Sequence, residues 1–287
     1  MNTQELLKKV RKIEIKTRRL SDAVFGGEYH SAFKGRGMTF SEVRQYQFGD
    51  DVRNIDWNVT ARYSEPYIKV FEEERELTLM LVADISGSTL FGTQEQLKKE
   101  IITELCATLA FSAMQNNDKV GLLLFSDQVE LFIPPKKGKF HILRIIRELL
   151  EFKAKGKGTD VAGALKFLAG VLKKKAIVFV MSDFMSTDYK KTLQIAGRKH
   201  DVTGIRVYDK RETEMPKMGL VQFLDQETGK SQLINTSSKS VRTKYAAYHK
   251  ECAAYFKEAF TRSDAGAIDL ETQENYTKKL LGYFKAR

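Results

Sequence analysis

The sequence predicts an α/β fold in which a mostly parallel, doubly wound sheet carries helices on both faces. Short apolar runs alternate with helix-like segments from residue 77 to residue 207, as in chains that build a parallel sheet from strand–helix units. The run at residues 176–181 is apolar at every position, and the run at residues 77–83 is apolar except for Thr78, which is typical of strands buried on both faces. A chain of 287 residues is long enough to cover such a sheet.

The elements of this region follow from hydrophobic periodicity and from the residues that interrupt it. An edge hairpin is predicted at residues 129–133 because two prolines, Pro134 and Pro135, follow it. The remaining strands are predicted at residues 77–83, 120–125, 176–181 and 202–207, and the helices at 94–115, 140–152, 161–172 and 190–199.

The flanking segments have a different character. Residues 4–20 place apolar side chains at helical spacing between lysines and arginines, which predicts an amphipathic helix. Residues 25–76 are interrupted by glycines and predict short strands and turns, residues 219–235 a hairpin, and residues 238–262 and 272–285 helices. We therefore divide the chain into a helix and β-rich segment at 1–76, the α/β domain at 77–236, and C-terminal helices packing on it at 237–287.

The charge of the chain raises the question of a nucleic-acid partner. The formal net charge is +11, and residues 134–175 hold twelve Lys and Arg against three acidic residues. However, no regular aromatic interleaving and no zinc-finger, helix-turn-helix or RNA-recognition motif accompanies these charges. A solvated basic face is therefore favoured over a dedicated nucleic-acid site.

The sequence also bears on location. Its longest apolar runs are about six residues, whereas a spanning helix needs roughly 20. The first twenty residues contain no apolar core of a secretory signal, and the two cysteines lie far apart. We therefore expect a cytoplasmic protein.

Five oxygen-bearing side chains are predicted at strand ends. Asp84, Ser86 and Ser88 lie in the segment VADISGSTLFG after the first buried strand. Thr159 lies in GKGTDVAGAL, directly before a helix, and Asp183 follows the strand at 176–181. Ligands of open parallel sheets bind outside the carboxyl ends of the strands, so this edge is the candidate site.

This set resembles the metal-ion-dependent adhesion site of von Willebrand factor A-type domains, an Asp-x-Ser-x-Ser motif followed by a Thr and an Asp. Hydroxyl oxygens suit Mg²⁺, which prefers six oxygen ligands. The resemblance implies that Ser86, Ser88 and Thr159 bind the ion directly while Asp84 and Asp183 hold coordinated waters, with one position open to an external carboxylate. Mn²⁺ and Ca²⁺ are alternative ions. A metal-free domain of the same fold, with the serines capping the next helix, is the competing interpretation.

A second signature spans residues 44–62, RQYQFGDDVRNIDWNVTAR. It concentrates opposite charges around the single tryptophan. A catalytic interpretation would use Asp50, Asp51 and Asp56 as metal or acid–base carboxylates, whereas Arg–Asp pairs that lock a strand and turn onto the main domain are favoured. Trp57 is expected to be buried. The signature comprises Arg44, Tyr46, Gly49, Asp50, Asp51, Arg53, Asp56, Trp57 and Arg62.

With FKGRGMTFSEV before it and KVFEEERELTLMLVADISGS after it, this signature resembles a bacterial family catalogued as domain of unknown function fifty-eight. The resemblance extends from about residue 31 to the C-terminal helices and includes all five metal positions. It implies a partnership with MoxR-type AAA+ ATPases. Many members carry membrane segments, and this sequence has none, which implies a soluble form.

Two functions remain open on the sequence. The first is a metal-dependent adaptor that is not an enzyme, binding an Asp or Glu on a MoxR-type ATPase or on its client during protein maturation or assembly. The second is a metal-dependent hydrolase or nuclease at the same site. Hydrolytic metal sites usually supply carboxylate or His ligands and a base, so hydroxyl ligands favour the adaptor. Gly229–Ser231 is not a P-loop, because Leu224 stands where the motif needs glycine.

Overall fold

The computed structural model describes residues 38–73, 77–90, 97–224 and 231–287, together with Arg11 and Glu14. The chain forms two compact units, one within Phe33–Leu77 and the other containing Thr78–Arg287. The helix predicted over residues 4–20 lies outside the described residues except for Arg11 and Glu14, which are helical. The turn predicted at residues 225–230 also lies outside them.

The smaller unit is an antiparallel β-hairpin with a short helix in its connection. Strand β1 (Met38–Gln45) pairs with β2 (Tyr67–Glu73), and helix α1 (Trp57–Tyr63) lies between them in sequence. Asp56 caps α1 by accepting from the backbone N–H groups of Asn58 and Val59, which stabilises the helix start. The strands were predicted here, but α1 was not.

Charged pairs within this unit hold its turns. Arg44 binds Asp50 through two nitrogens at 2.9 and 2.7 Å, and the backbone N–H of Gln47 donates to the same carboxylate at 2.7 Å. Hydrogen bonds to Arg44 lower the pKa of Asp50.

The expectation that Trp57 is buried is wrong. Trp57, the first residue of α1, is 70% exposed, so its side chain does not face a core.

The larger unit is built on a six-stranded sheet with strand order β10-β7-β6-β3-β4-β5. All neighbours are parallel except β4 and β5, which form the antiparallel edge predicted from the two prolines. The strands are β3 (Thr78–Asp84), β4 (Lys119–Phe125), β5 (Val129–Lys136), β6 (Ile177–Ser182), β7 (Asp201–Tyr208) and β10 (Gly266–Glu271). A separate hairpin pairs β8 (Leu220–Leu224) with β9 (Ser231–Asn235).

Helices connect these strands and cover both faces of the sheet. They are α2 (Lys98–Gln115), α3 (Lys139–Glu151), α4 (Val161–Val171), α5 (Lys190–Lys199), α6 (Lys210–Thr213), α7 (Lys239–Thr261) and α8 (Tyr276–Ala286). Val178 and Val180 of β6 join a buried cluster with α4, α5 and α7. Phe179, between them, packs edge-on against Phe284 of α8, so successive side chains of β6 face opposite layers. Within the described ranges, no helix is long and apolar enough to cross a membrane.

The doubly wound α/β fold predicted from the sequence is therefore confirmed, although the short helix α6 and one strand of the sheet were missed. Strand β10 joins the sheet edge beside β7, in a region where only helices were expected. Only Ile268 and Leu270 of its segment GAIDLE are buried, so it lacks the continuous apolar pattern of the inner strands.

Candidate metal centre

The site begins with Asp84, the last residue of the central strand β3, whose side chain is 1% exposed. Its Oδ1 accepts from the backbone N–H of Ser86 at 2.8 Å. Its Oδ2 accepts from the hydroxyl of Ser182 at 2.6 Å. Because Ser182 ends the neighbouring strand β6, this carboxylate is oriented by two adjacent strand ends.

Ser86 and Ser88 lie side by side in the turn that follows β3. Their hydroxyl oxygens are 3.0 Å apart. The turn is closed by Thr89, whose hydroxyl donates to the carbonyl of Ser86 at 2.7 Å. Neighbouring ligands of an octahedral Mg²⁺ with bonds of 2.0–2.1 Å are about 2.9 Å apart, so the spacing of the two hydroxyls fits such an ion.

Asp183 follows β6 directly and is 5% exposed. The chain turns sharply here, with Phe184 at a φ of 52°, and the backbone N–H of Phe184 donates to the hydroxyl of Ser182 at 3.1 Å. Ser182 thus connects Asp84 to the turn that carries Asp183. Left-handed backbone is uncommon for a side chain of this size, and Phe184 is held in it by packing among Tyr189, Phe256 and Phe260.

The electrostatics of the two aspartates favour a cation. Burial, and then the negative charge of Asp183, raise the pKa of Asp84 to about 7. Two buried carboxylates whose charges repel each other are a costly arrangement that a positive ion relieves. The donor set of two carboxylates and paired hydroxyls therefore fits a hard divalent cation.

Thr159 is carried on a loop that hydrogen bonds tie to the rest of the site. The backbone N–H of Gly87, between the two serines, donates to the carbonyl of Lys157 at 3.0 Å. On the other side, the backbone N–H of Asp160 donates to the carbonyl of Ser126, just after β4, at 2.7 Å. The structure thus brings the threonine loop to the same sheet edge as the serines.

Glu130 of β5 fixes this loop, and the sequence did not indicate it. Its Oε1 accepts from the hydroxyl of Ser126 at 2.8 Å and from the backbone N–H groups of Lys155 and Gly156 at 2.9 and 2.8 Å. Gly156 approaches so closely that an added Cβ would lie 1.7 Å from Oδ1 of Asp127. Any larger residue there would have to displace the side chains of Asp127 and Ser126, and the position of Gly156 in a GKG sequence was the available signal.

Lys98 is the second residue that sequence reasoning missed. It begins α2 and is 1% exposed. Its ammonium lies 3.2 Å from Oδ2 of Asp183 and 2.6 Å from Oε1 of Glu212. A signal existed, because helical spacing places Lys98 on the same face as the buried Ile101, Ile102 and Leu105.

The described residues contain no group of three His, Cys, Asp or Glu side chains placed to hold a metal ion. The metal assignment to Asp84, Ser86, Ser88, Thr159 and Asp183 itself stays a prediction.

The six-stranded, mostly parallel sheet with helices on both faces is a von Willebrand factor A-like fold. The chain belongs to the family described as protein of unknown function DUF58, whose model matches residues 42–255. The family resemblance seen in the sequence is thereby confirmed.

Relatives in several bacteria share much of the chain. An uncharacterized protein of Mycobacterium tuberculosis is 30% identical over 224 residues, which cover 77% of this chain and 70% of that protein. YeaD, an uncharacterized protein of Bacillus subtilis, is 27% identical over 140 residues, covering 47% of this chain and 31% of YeaD. Among solved structures, the conserved hypothetical protein BatB of Bacteroides thetaiotaomicron aligns with a TM-score of 0.47 at 14% identity, over 73% of this chain and 98% of BatB.

Proposed function

We propose that this protein is a metal-dependent adaptor that binds a carboxylate on a partner protein at the edge formed by β3, β4 and β6. Ser86, Ser88 and Thr159 would hold the ion directly, and Asp84 and Asp183 would hold coordinated waters. Bound there, Mg²⁺, Mn²⁺ or Ca²⁺ supplies an open coordination position for an Asp or Glu of the partner.

The observation that carries the proposal is the spacing of the two serine hydroxyls beside a buried, doubly hydrogen-bonded Asp84. Hydroxyl ligands bring no charge, so a divalent ion on this set keeps a positive charge that an incoming carboxylate can neutralise. A carboxylate of a partner protein would therefore be attracted to the bound ion.

The same features favour binding over catalysis, and we propose that the protein is not an enzyme. Metal-assisted hydrolysis needs a base placed to activate water. The cationic side chain beside Asp183 is Lys98, whose ammonium already contacts two carboxylates. A hydrolase or nuclease at this site is the alternative, and metal-dependent turnover of a phosphoester by the pure protein would support it.

A basic rim beside the threonine loop supports an acidic protein as the partner. Lys153, Lys155 and Lys157 are exposed at alternating positions before Thr159. A positive surface next to the open coordination position speeds the encounter with an acidic surface and orients its carboxylates. A MoxR-type AAA+ ATPase or its client is the partner that the family resemblance favours, and a nucleic acid is not expected.

The test is capture of the purified MoxR-type ATPase by the full chain, with EDTA and salt varied separately. We expect capture to disappear in EDTA, to return with Mg²⁺, and to survive moderate salt. Thr159→Ala should abolish capture, whereas Thr261→Ala, an exposed position at the end of α7, should leave it intact. Capture that persists in EDTA and with Thr159→Ala would reject the proposal.

The basic rim has its own matched control. Replacing Lys153, Lys155 and Lys157 by Glu should slow association. The control is the same change at Lys173–Lys175, which are also exposed. These lysines precede the amino-terminal end of β6, whereas the site lies beyond the carboxyl ends of the strands, so their replacement should have little effect. Tight DNA or RNA binding that ignores chelation but falls steeply with salt would indicate phosphate recognition instead.

A further inference from the structure

Lys98 is a fully buried cation at the metal centre. It reaches this position as the first residue of α2, and its ammonium bridges Oδ2 of Asp183 and Oε1 of Glu212 at 3.2 and 2.6 Å. An ammonium is rarely buried unless carboxylates compensate it. Asp183 directly follows β6 and Glu212 lies in the short helix α6 after β7, so α2 is tied to the segments that follow two strands.

Glu212 is itself held in place. Its Oε2 accepts from the backbone N–H of Asp209 at 3.2 Å, as part of the capping box that starts α6. Oδ2 of Asp209 in turn accepts from the hydroxyl of Thr272 at 3.0 Å. Glu212 is therefore a fixed acceptor, and Lys98 stands between it and the aspartate of the metal site.

Helix α7 lies beside this ion pair and helps to shield it from water. The rings of Tyr245 and His249 lie 4.6 Å apart, and burial is the main reason that the pKa of Tyr245 is raised, with the charge of Glu212 adding to it. Lys98 is thus enclosed away from water, where its charge is weakly screened.

The positive charge of Lys98 beside Asp183 has a direct consequence for the binding of a metal ion. Asp183 is shared between an ammonium that is covalently part of the chain and a divalent ion that must come from solution. Charges separated by a few ångströms in a poorly screened interior affect one another strongly. Lys98 therefore weakens the attraction of the site for a free cation, and Glu212 offsets part of that effect by sharing the ammonium.

We propose that Lys98 acts as a tethered cation that keeps the resting affinity of the site for a metal ion low. Full occupancy would then require the partner's carboxylate as an additional ligand. The inference rests on the proposed function. In this role Lys98 is a positioning residue for Asp183, and the negative charge of Glu212 offsets part of the positive charge of Lys98.

The test is a calorimetric titration of the full chain with Mn²⁺ alone, which compares the wild type with Lys98→Met. Methionine keeps the length and removes the charge. We expect the Kd for Mn²⁺ to fall by about tenfold or more, and Mn²⁺ to raise the melting temperature of the variant more than that of the wild type. Lys99→Met is the matched control, because the ammonium of Lys99 donates to the carbonyl of Phe152 instead, and its Kd should match the wild type.

Glu212→Gln should change the affinity for Mn²⁺ in the opposite direction. It leaves Lys98 to Asp183 alone and removes a negative charge, so Mn²⁺ should bind more weakly than to the wild type. If Lys98→Met unfolds in EDTA, recovery of its fold on adding Mn²⁺ supports the proposal, and failure to recover, together with unchanged affinity in Glu212→Gln, overturns it.

The outcomes separate this inference from the adaptor function. A folded Lys98→Met variant that binds Mn²⁺ no more tightly than the wild type overturns the inference, while metal-dependent capture of the partner still stands. Binding of Mn²⁺ by neither protein overturns the metal site and the inference with it. Binding by Lys98→Met alone supports Lys98 as the residue that holds metal affinity down.

Discussion

The hydroxyl of Ser182 donates to Oδ2 of Asp84 across 2.6 Å and thereby joins the carboxyl ends of β6 and β3. The same hydroxyl oxygen accepts the backbone N–H of Phe184. One serine therefore orients the buried aspartate and shapes the turn that carries Asp183. The site depends on this contact between residues 98 positions apart in the sequence.

Asp84 should make the metal-free fold sensitive to pH. Its pKa is raised to about 7, by burial first and then by Asp183, so the folded protein holds a proton that the unfolded chain releases near its ordinary value. The contribution of Asp84 to stability is therefore most favourable at low pH and is lost as pH rises through about 7. In EDTA, Asp84→Asn should melt several degrees above the wild type at pH 8, and the difference should shrink by pH 5.

Scanning calorimetry in EDTA at both pH values measures this effect. Asp188→Asn, at an exposed position before α5, is the control and should not change the pH dependence. Asp84→Asn should also lose Mn²⁺ binding. A variant that is less stable than the wild type at pH 8 without metal would show that the hydrogen bonds to Asp84 outweigh its burial and charge repulsion.

Glu130 should control the order of the threonine loop. Removing it in Glu130→Ala leaves two backbone N–H groups and the Ser126 hydroxyl without their shared acceptor. Hydrogen bonds to a charged group contribute about 1.5–3 kcal/mol, so the free energy of unfolding should fall by about that amount. Amide exchange at Lys155 and Gly156 should accelerate, and Mn²⁺ binding should weaken.

Hydrogen exchange followed by mass spectrometry localises this effect to the loop. Glu151→Ala, an exposed change at the end of α3, is the control. Unchanged exchange over residues 152–160 in Glu130→Ala would mean that the loop is held by the contacts of Gly87 and Asp160 alone.

Trp57 should be dispensable for stability. Since its side chain is 70% exposed, Trp57→Ala should change the free energy of unfolding by no more than about 0.5 kcal/mol. Asp56→Ala, one residue earlier, removes the cap of α1 and the ion pair with Lys69 and should lower the melting temperature measurably. A large destabilisation by Trp57→Ala in thermal melts would show that the tryptophan is buried in solution.

His200 should limit stability at acid pH. Its ring is buried, its two nitrogens have no hydrogen-bond partner within the described part of the chain, and burial, followed by the charge of Lys199, lowers its pKa to about 4. The neutral ring is favoured in the fold, so stability should decrease as pH falls below about 6.5 and continue to fall until about 4. His200→Gln should remove a loss on the order of 1–2 kcal/mol at pH 5, read from urea denaturation at pH 7 and 5. Equal pH dependence in both proteins would contradict this.

Much of the fold could be predicted because the inner strands carry their own signal. Residues such as Leu79–Ala83 and Ile177–Met181 are buried at every position, and a strand buried on both faces must be apolar throughout. The placement of Asp84, Ser86, Ser88 and Asp183 follows from the same reasoning, since parallel strands end at one edge, whereas Thr159 reaches that edge on a loop between two helices. In contrast, β10 and α1 lack strong periodicity and take their form from pairing and capping.

The sequence by itself determined the fold class, the family, and the positions of Asp84, Ser86, Ser88 and Asp183 after strands β3 and β6. The expectation that Thr159 follows a strand is wrong, because it lies in the loop between α3 and α4. Only the tertiary structure decided what surrounds them. Lys98 and Asp183 are 85 residues apart, and Glu130 lies 26 residues from Gly156. Such contacts depend on how helices and loops pack onto the sheet. Helical spacing could indicate that Lys98 is buried, but its partners Asp183 and Glu212 come from distant segments that only the packing brings together.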